Sequence, residues 1–117
     1  MLPKDRRLRS AGEISAVTRG GRRAGSPTLV VHALPVSSGH RARFGLAVGK
    51  AVGGSVVRHR VARRLRAILA GQLPQWDAQG ADVVVRALPR AATATSRELG
   101  SDLLKCQRRL ATQGGLP

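Results

Sequence analysis

The sequence predicts an α+β domain in which a small sheet is layered against helices. Three observations predict it. Segments 28–34, 43–48 and 82–88 carry the β-branched and alternating apolar residues of strands, segments 56–70 and 96–110 repeat apolar residues at helical spacing, and the two kinds interleave along 117 residues. A chain this long buries roughly two-thirds of the surface its unfolded form exposes, enough for a core without metal or disulfide support. One domain over residues 1–117 is expected, with 1–9 and 112–117 as flexible ends.

The elements follow from local chemistry. Ser10-Ala11-Gly12-Glu13 has the form of a capping box, so a short helix starts there, turns Ile14 and Val17 inward and stops at Gly20-Gly21. Arg22 and Arg23 then open a basic loop. Pro27 and Pro35 bracket the first strand, and Ser37-Ser38-Gly39 reads as a hairpin-like connection. The next strand, 43–48, alternates Phe44, Leu46 and Val48 with Arg43, Gly45 and Ala47. From Val56 to Ala70, residues Val57, Val61, Leu65, Ile68 and Leu69 share one helical face, and Gly71 and Pro74 end the helix. After the strand Asp82–Leu88, Ser96 is the candidate cap of a last helix that buries Leu99, Leu103, Cys106 and Leu110. Gln113–Pro117 is expected to fray.

Composition narrows the function. Twenty-one Lys and Arg against six Asp and Glu leave a net charge of +15, a self-repelling density that calls for a polyanion, with nucleic acid leading. Runs such as Leu29–Val31 and Val83–Val85 are far too short to span a bilayer, so no membrane partner is expected. The basic amino end leads into no apolar signal core, and Cys106 is the single cysteine, so a reducing cytoplasm fits. Phe44 and Trp76 are the whole aromatic inventory, which disfavours modules that read single strands by stacking bases. The contacts on offer are mainly arginine to phosphate.

The charge concentrates in Lys50-Ala51-Val52-Gly53-Gly54-Ser55-Val56-Val57-Arg58-His59-Arg60-Val61-Ala62-Arg63-Arg64-Leu65-Arg66. On a helix, Arg60, Arg63, Arg64 and Arg66 spread opposite the Val57, Val61, Leu65 stripe, and Arg58 sits near the entrance. Gly53 and Gly54 leave amides uncovered before a helix start that can receive phosphate. The bland alternative is a solvated face laced with ion pairs. Between Lys50 and Asp77, however, there is no carboxylate to form them. A face that neutralises about five phosphates gives a log–log salt dependence of about −4.

This segment resembles the signature of the ribonuclease P protein family, in which a lysine and a Val-Gly turn precede a helix beginning Arg-Asn-Arg. Lys50, Val52, Gly53, Val56, Arg58, Arg60, Arg63 and Arg66 match it. The similarity extends over Lys4, Arg7 and Leu8, Gly21-Arg22-Arg23, Leu29-Val30-Val31, Asp82–Val85 and the final helix, nearly the whole chain.

The resemblance implies three helices on a small four-stranded sheet, in the order α-β-β-β-α-β-α with a left-handed βαβ crossover, a hand that ordinary chirality would not anticipate. It implies a protein subunit that assists a catalytic RNA in removing the 5′ leader from precursor tRNA. Lys50, Arg58, His59, Arg60, Arg63, Arg64 and Arg66 would contact that RNA; Arg7, Ile14, Thr18 and His32 would line a cleft for the leader. Magnesium would be held mainly by the RNA, with no protein-bound cofactor and no obligate protein partner. Departures from the family pattern include His59 and Gly54 for asparagines, Ala51 and Ala62 for lysines, Ile14 and Thr18 for phenylalanines, and His32 for tyrosine. Leader binding would therefore lean on phosphate contacts and van der Waals packing more than on aromatic stacking.

Nothing in the residues suggests a protein catalyst. His32, His40 and His59 are scattered with no accompanying metal motif, and Asp5, Glu13, Asp77, Asp82, Glu98 and Asp102 form no obvious two-metal cluster. The alternative readings are a ribosomal or architectural RNA-binding protein and, further off, a metal-dependent nuclease.

Overall fold

The computed structural model describes residues 2–36, 41–78 and 80–114. The elements, in order, are α1 (Ala11–Gly20), β1 (Arg22–Gly25), β2 (Leu29–Pro35), β3 (Arg43–Ala47), α2 (Ser55–Ala70), α3 (Leu73–Asp77), β4 (Ala81–Ala87) and α4 (Ser96–Gly114). Single 3-10 turns at Lys4–Arg6 and Pro89–Ala92 flank them.

The strands form one sheet in the order β1-β2-β4-β3, mixed because β3 runs parallel to β4 while the other pairs are antiparallel. The parallel pair is joined through α2, the crossover expected of an α+β domain of this family pattern. Alternation along the strands sorts the two faces. Leu29, Val31, Phe44, Val83 and Val85 point into the main core with Val61, Leu65 and Leu69 of α2 and Leu99, Leu103, Cys106 and Leu110 of α4. Val84 and Leu34 point the other way, into a smaller cluster with Leu8, Ile14 and Val17, so α1 covers part of the opposite face. β4 is buried on both faces and reads as a continuous valine run, as strands flanked on both sides do.

Four expectations change. Residues 22–25, read as a basic loop, form edge strand β1: two arginines carry no β signal, but pairing with β2 supplies the hydrogen bonds. Residues 2–9, read as a flexible end, are packed, with Leu2, Arg6 and Leu8 buried. Pro74 lies inside the one-turn α3, near its start, where a missing amide donor costs nothing. The cap of α4 is Thr95, whose hydroxyl accepts from the Glu98 amide at 3.1 Å while the Glu98 carboxylate accepts from the Thr95 amide at 2.8 Å. At α1 the capping box forms as read, with the Ser10 hydroxyl accepting from the Glu13 amide. The Ser37-Ser38-Gly39 connection and His40 lie outside the described residues; α4 runs through Gly114, and 115–117 lie outside them.

Both aromatic rings are spent on the core. Phe44 and Trp76 meet edge to face at 6.0 Å between centroids, and the Trp76 indole donates to Gln72 Oε1 at 3.2 Å. Neither is open to a nucleobase. Among the described residues no helix is long and apolar enough to cross a membrane.

Candidate nucleic-acid interface

α2 lays Val61, Leu65 and Leu69 into the core, which fixes where its arginines go. His59 and Arg63 are exposed on the outer face; Arg58, Arg60, Arg64 and Arg66 are half-buried on its two shoulders, closer to the protein than a helical wheel suggests. On the β3 side, Arg58, His59 and Arg66 surround a hollow of about 340 Å³ floored by Leu46 and Val48. On the other side, His59, Arg60 and Arg63 surround a second, of about 440 Å³, beside Val56, the one exposed large apolar side chain among the described residues. Arg60 Nη2 donates to Ala92 O at 3.3 Å and Arg64 Nη1 to Ala94 O at 3.5 Å, so carbonyls of the 89–92 turn and its exit hold two guanidiniums without neutralising them.

The entrance to α2 is less open than two glycines suggest. The Gly53 amide donates to Lys50 O at 3.2 Å, and a β-carbon on Gly53 would meet Val57 at 3.0 Å, so this glycine permits a close approach. Gly54 supplies no capping side chain, which leaves the first amides of α2 without a protein acceptor from the cap. Lys50 is exposed just upstream.

The carboxylates that could cancel this charge are committed elsewhere. Asp77 chelates Arg6 through both oxygens at 2.7 and 2.9 Å. Asp5 pairs with Arg41 at 3.2 Å. Arg43 spans two acids, Glu13 at 3.0 Å and Asp82 at 2.9 Å. Glu98 caps α4, and Asp102 accepts from the Thr28 hydroxyl at 2.6 Å. Among the described residues no carboxylate pairs with an α2 arginine. The Arg6 guanidinium holds Asp77 below the usual carboxylate range, and the Arg9 and Ser10 amides, with Arg43, do the same for Glu13. No group of three His, Cys, Asp or Glu that could hold a metal ion occurs among the described residues.

The second surface lies between α1 and the sheet. The 7–8 segment runs beside β3, with the Leu8 amide donating to Phe44 O at 2.8 Å. Arg7 and Ile14 come together with Leu8, Gly45 and Arg66 around a hollow of about 160 Å³. The Arg7 guanidinium is oriented by the Leu2 carbonyl, which accepts from Nε at 3.0 Å and from Nη2 at 2.8 Å. Thr18 and His32 stand outside this hollow. Thr18 is exposed and its hydroxyl donates to Ser15 O, while His32 is buried in β2, opposite Arg23 on β1 and Val84 on β4. Burial pushes the His32 imidazole below its ordinary value, and the charges of Arg86 and Arg23 push it further.

The sequence reading singled out neither Gly45 nor Arg86, and placed Arg66 on α2 alone. Gly45 is buried because α1 sits on it, and a β-carbon there would stand 3.1 Å from Ile14 Cγ1. Arg86, the one exposed residue of β4, interrupts the valine run and puts its charge near buried His32. Arg66 reaches both the helix-side hollow and the α1 hollow, which no one-dimensional spacing reveals.

Comparison with known proteins decides the family. The family model described as Ribonuclease P matches residues 2–111. The chain belongs to the ribonuclease P protein family. It is 51% identical over 110 residues to the ribonuclease P protein component of Rhodococcus erythropolis, covering 88% of this chain and 86% of that one. The Corynebacterium urealyticum component is 46% identical, with coverage of 95% and 99%. Among solved structures, the Staphylococcus aureus RNase P protein superposes with a TM-score of 0.78 at 18% identity, covering 88% and 93% of the two chains. The RNase P protein from Thermotoga maritima gives 0.76 at 20% identity over 87% and 96%. At these identities the structural likeness speaks to the fold, while the curated relatives and the family match carry the family membership.

Proposed function

We propose that the chain is the RNA-binding subunit that assists the ribonuclease P catalytic RNA in cutting the 5′ leader from precursor tRNA, in the cytoplasm. In this reading α2, with Lys50, Arg58, His59, Arg60, Arg63, Arg64 and Arg66, lies on the catalytic RNA. The surface between α1 and the sheet, with Arg7, Ile14, Thr18 and His32, receives the leader. Magnesium is assigned mainly to the RNA, and hydrolysis with it; the protein contributes position and charge.

One observation carries the proposal: a helix anchored by Val61, Leu65 and Leu69 displays arginines that no carboxylate among the described residues neutralises. Exposed cations facing no acid favour a polyanion, because each phosphate contact releases condensed counterions. The reading is tested by mixing the purified chain with precursor tRNA at low magnesium, with and without a bacterial ribonuclease P RNA. Leader release is expected only when the RNA is present and more strongly with the protein than without. Cleavage by protein alone would instead make it a nuclease, and absence of stimulation would favour a ribosomal or architectural role.

A further inference from the structure

A third basic surface lies across the 89–92 turn from α2. Arg90, Thr93, Arg97, Ser101 and Lys105 line a hollow of about 440 Å³ between that turn and the first half of α4, with Thr28 at its floor. That is many times the roughly 30 Å³ a single water takes up.

The three cations are exposed, and none is within ion-pair or hydrogen-bond distance of a side chain among the described residues, although the Arg90 charge acts on nearby Glu98. Two carboxylates also line it and keep their charge, so three cations face two acids and the excess is a single positive charge; both acids are turned to neutral donors and not to the cations. Asp102 is 8% exposed and bonded to the Thr28 hydroxyl at 2.6 Å, and Glu98 is held by the Thr95 amide at 2.8 Å. The hydroxyls of Thr93 and Ser101 add neutral donors between the charges. Cations and hydroxyls around an open hollow match a phosphodiester backbone, which presents charged oxygens and demands no base recognition. The hollow also continues the α2 surface: Ala94, whose carbonyl accepts from Arg64, is one of its lining residues.

We infer that the hollow between the 89–92 turn and α4 binds phosphates of the same catalytic RNA that lies on α2, as a second docking point. This rests on the proposed function and adds a contact surface to it. Arg60 and Arg64 reach the Ala92 and Ala94 carbonyls, and Ala94 lines the hollow with Arg90, so one RNA lying on α2 can also reach this surface.

The experiment measures the affinity of the full-length chain for a bacterial ribonuclease P RNA over a salt series, alongside the variant carrying Arg90→Ala, Arg97→Ala and Lys105→Ala. Loss of three phosphate contacts should reduce the log–log salt slope by about 2.1–2.7, at about 0.7–0.9 per contact. Binding of a short single-stranded leader oligonucleotide should not change. The charge-keeping pair Arg90→Lys and Arg97→Lys should retain the wild-type slope, and circular dichroism should show all variants folded, since the substituted side chains are exposed. An unchanged slope for the triple variant would overturn the inference and leave the proposed function standing. A loss confined to the leader oligonucleotide would overturn it equally. Failure of the wild-type chain to bind the catalytic RNA would overturn both.

Discussion

Arg6 and Asp77, 71 positions apart, meet in a two-pronged ion pair with the guanidinium also donating to Ala42 O at 3.2 Å. The Ala42 amide in turn donates to Asp77 Oδ1 at 2.8 Å. This knot ties the amino-terminal segment, the start of β3 and the end of α3 together. It also takes one carboxylate out of reach of the α2 arginines.

Replacing Arg6 with Met should cost about 2–3 kcal/mol, less than for a fully buried pair because Asp77 keeps 31% of its side-chain surface exposed. Urea unfolding measures it. The same pair carries a pH dependence. Asp77 sits below its unfolded value, so its contribution is complete above the ordinary carboxylate range and is lost as pH falls through the folded value. Arg6→Met should flatten that acid limb; an unchanged limb would assign it to other acids.

Gly45→Ala should disturb the α1 surface selectively. The new methyl group meets Ile14 at 3.1 Å and Leu8 at 3.4 Å, and overpacking of this kind costs about 1–3 kcal/mol. In the proposed function, leader affinity should fall more than affinity for the catalytic RNA. Equal losses would mean that Gly45 matters to the fold alone.

Arg58→Ala with Arg60→Ala should flatten the salt dependence of catalytic-RNA binding by roughly 0.7–0.9 per lost contact. Their stems lie in packed surroundings, with both Nε atoms buried and unpartnered, so a modest stability loss should accompany the change. Salt titrations of binding read the first effect and thermal melts the second. A slope identical to wild type would remove both side chains from the interface.

His32 should make the protein less stable in mild acid. Its folded value lies below the ordinary 6.5, so above that pH the ring is neutral in both states and contributes no pH dependence. As pH drops below 6.5 the unfolded chain takes up the proton first, and stability falls until the folded value is reached, then levels. Unfolding of wild type and His32→Gln at pH 7.5, 6.5 and 5.5 checks this. An equal decline in both would clear the histidine.

Thr95→Ala should cost about 1 kcal/mol as loss of a helix cap, while Ser96→Ala should be near neutral. A larger loss at Ser96 would return the cap to the residue read from sequence.

Local patterns declared most of the framework. The capping box at Ser10, the alternation through Phe44, the valine run of β4 and the helical spacings of α2 and α4 depend on neighbours within a few residues, and each became the expected element. The absence of acids from Lys50 to Asp77 likewise announced an uncancelled basic helix. What lay hidden is pairwise and distant. β1 exists because β2 offers a partner, the amino-terminal segment is held because Asp77 reaches Arg6, and Arg66 joins two hollows because β3 passes under α2.

The sequence alone therefore determined the charge, its concentration on one amphipathic helix and the alternation of strands and helices, since these are set by composition and by periods of two and 3.6 residues. Only the tertiary structure decided which carboxylates quench which arginines, and hence which cations stay free for a polyanion. Ion pairs form between side chains brought within a few ångströms by packing, and no spacing along the chain encodes that distance.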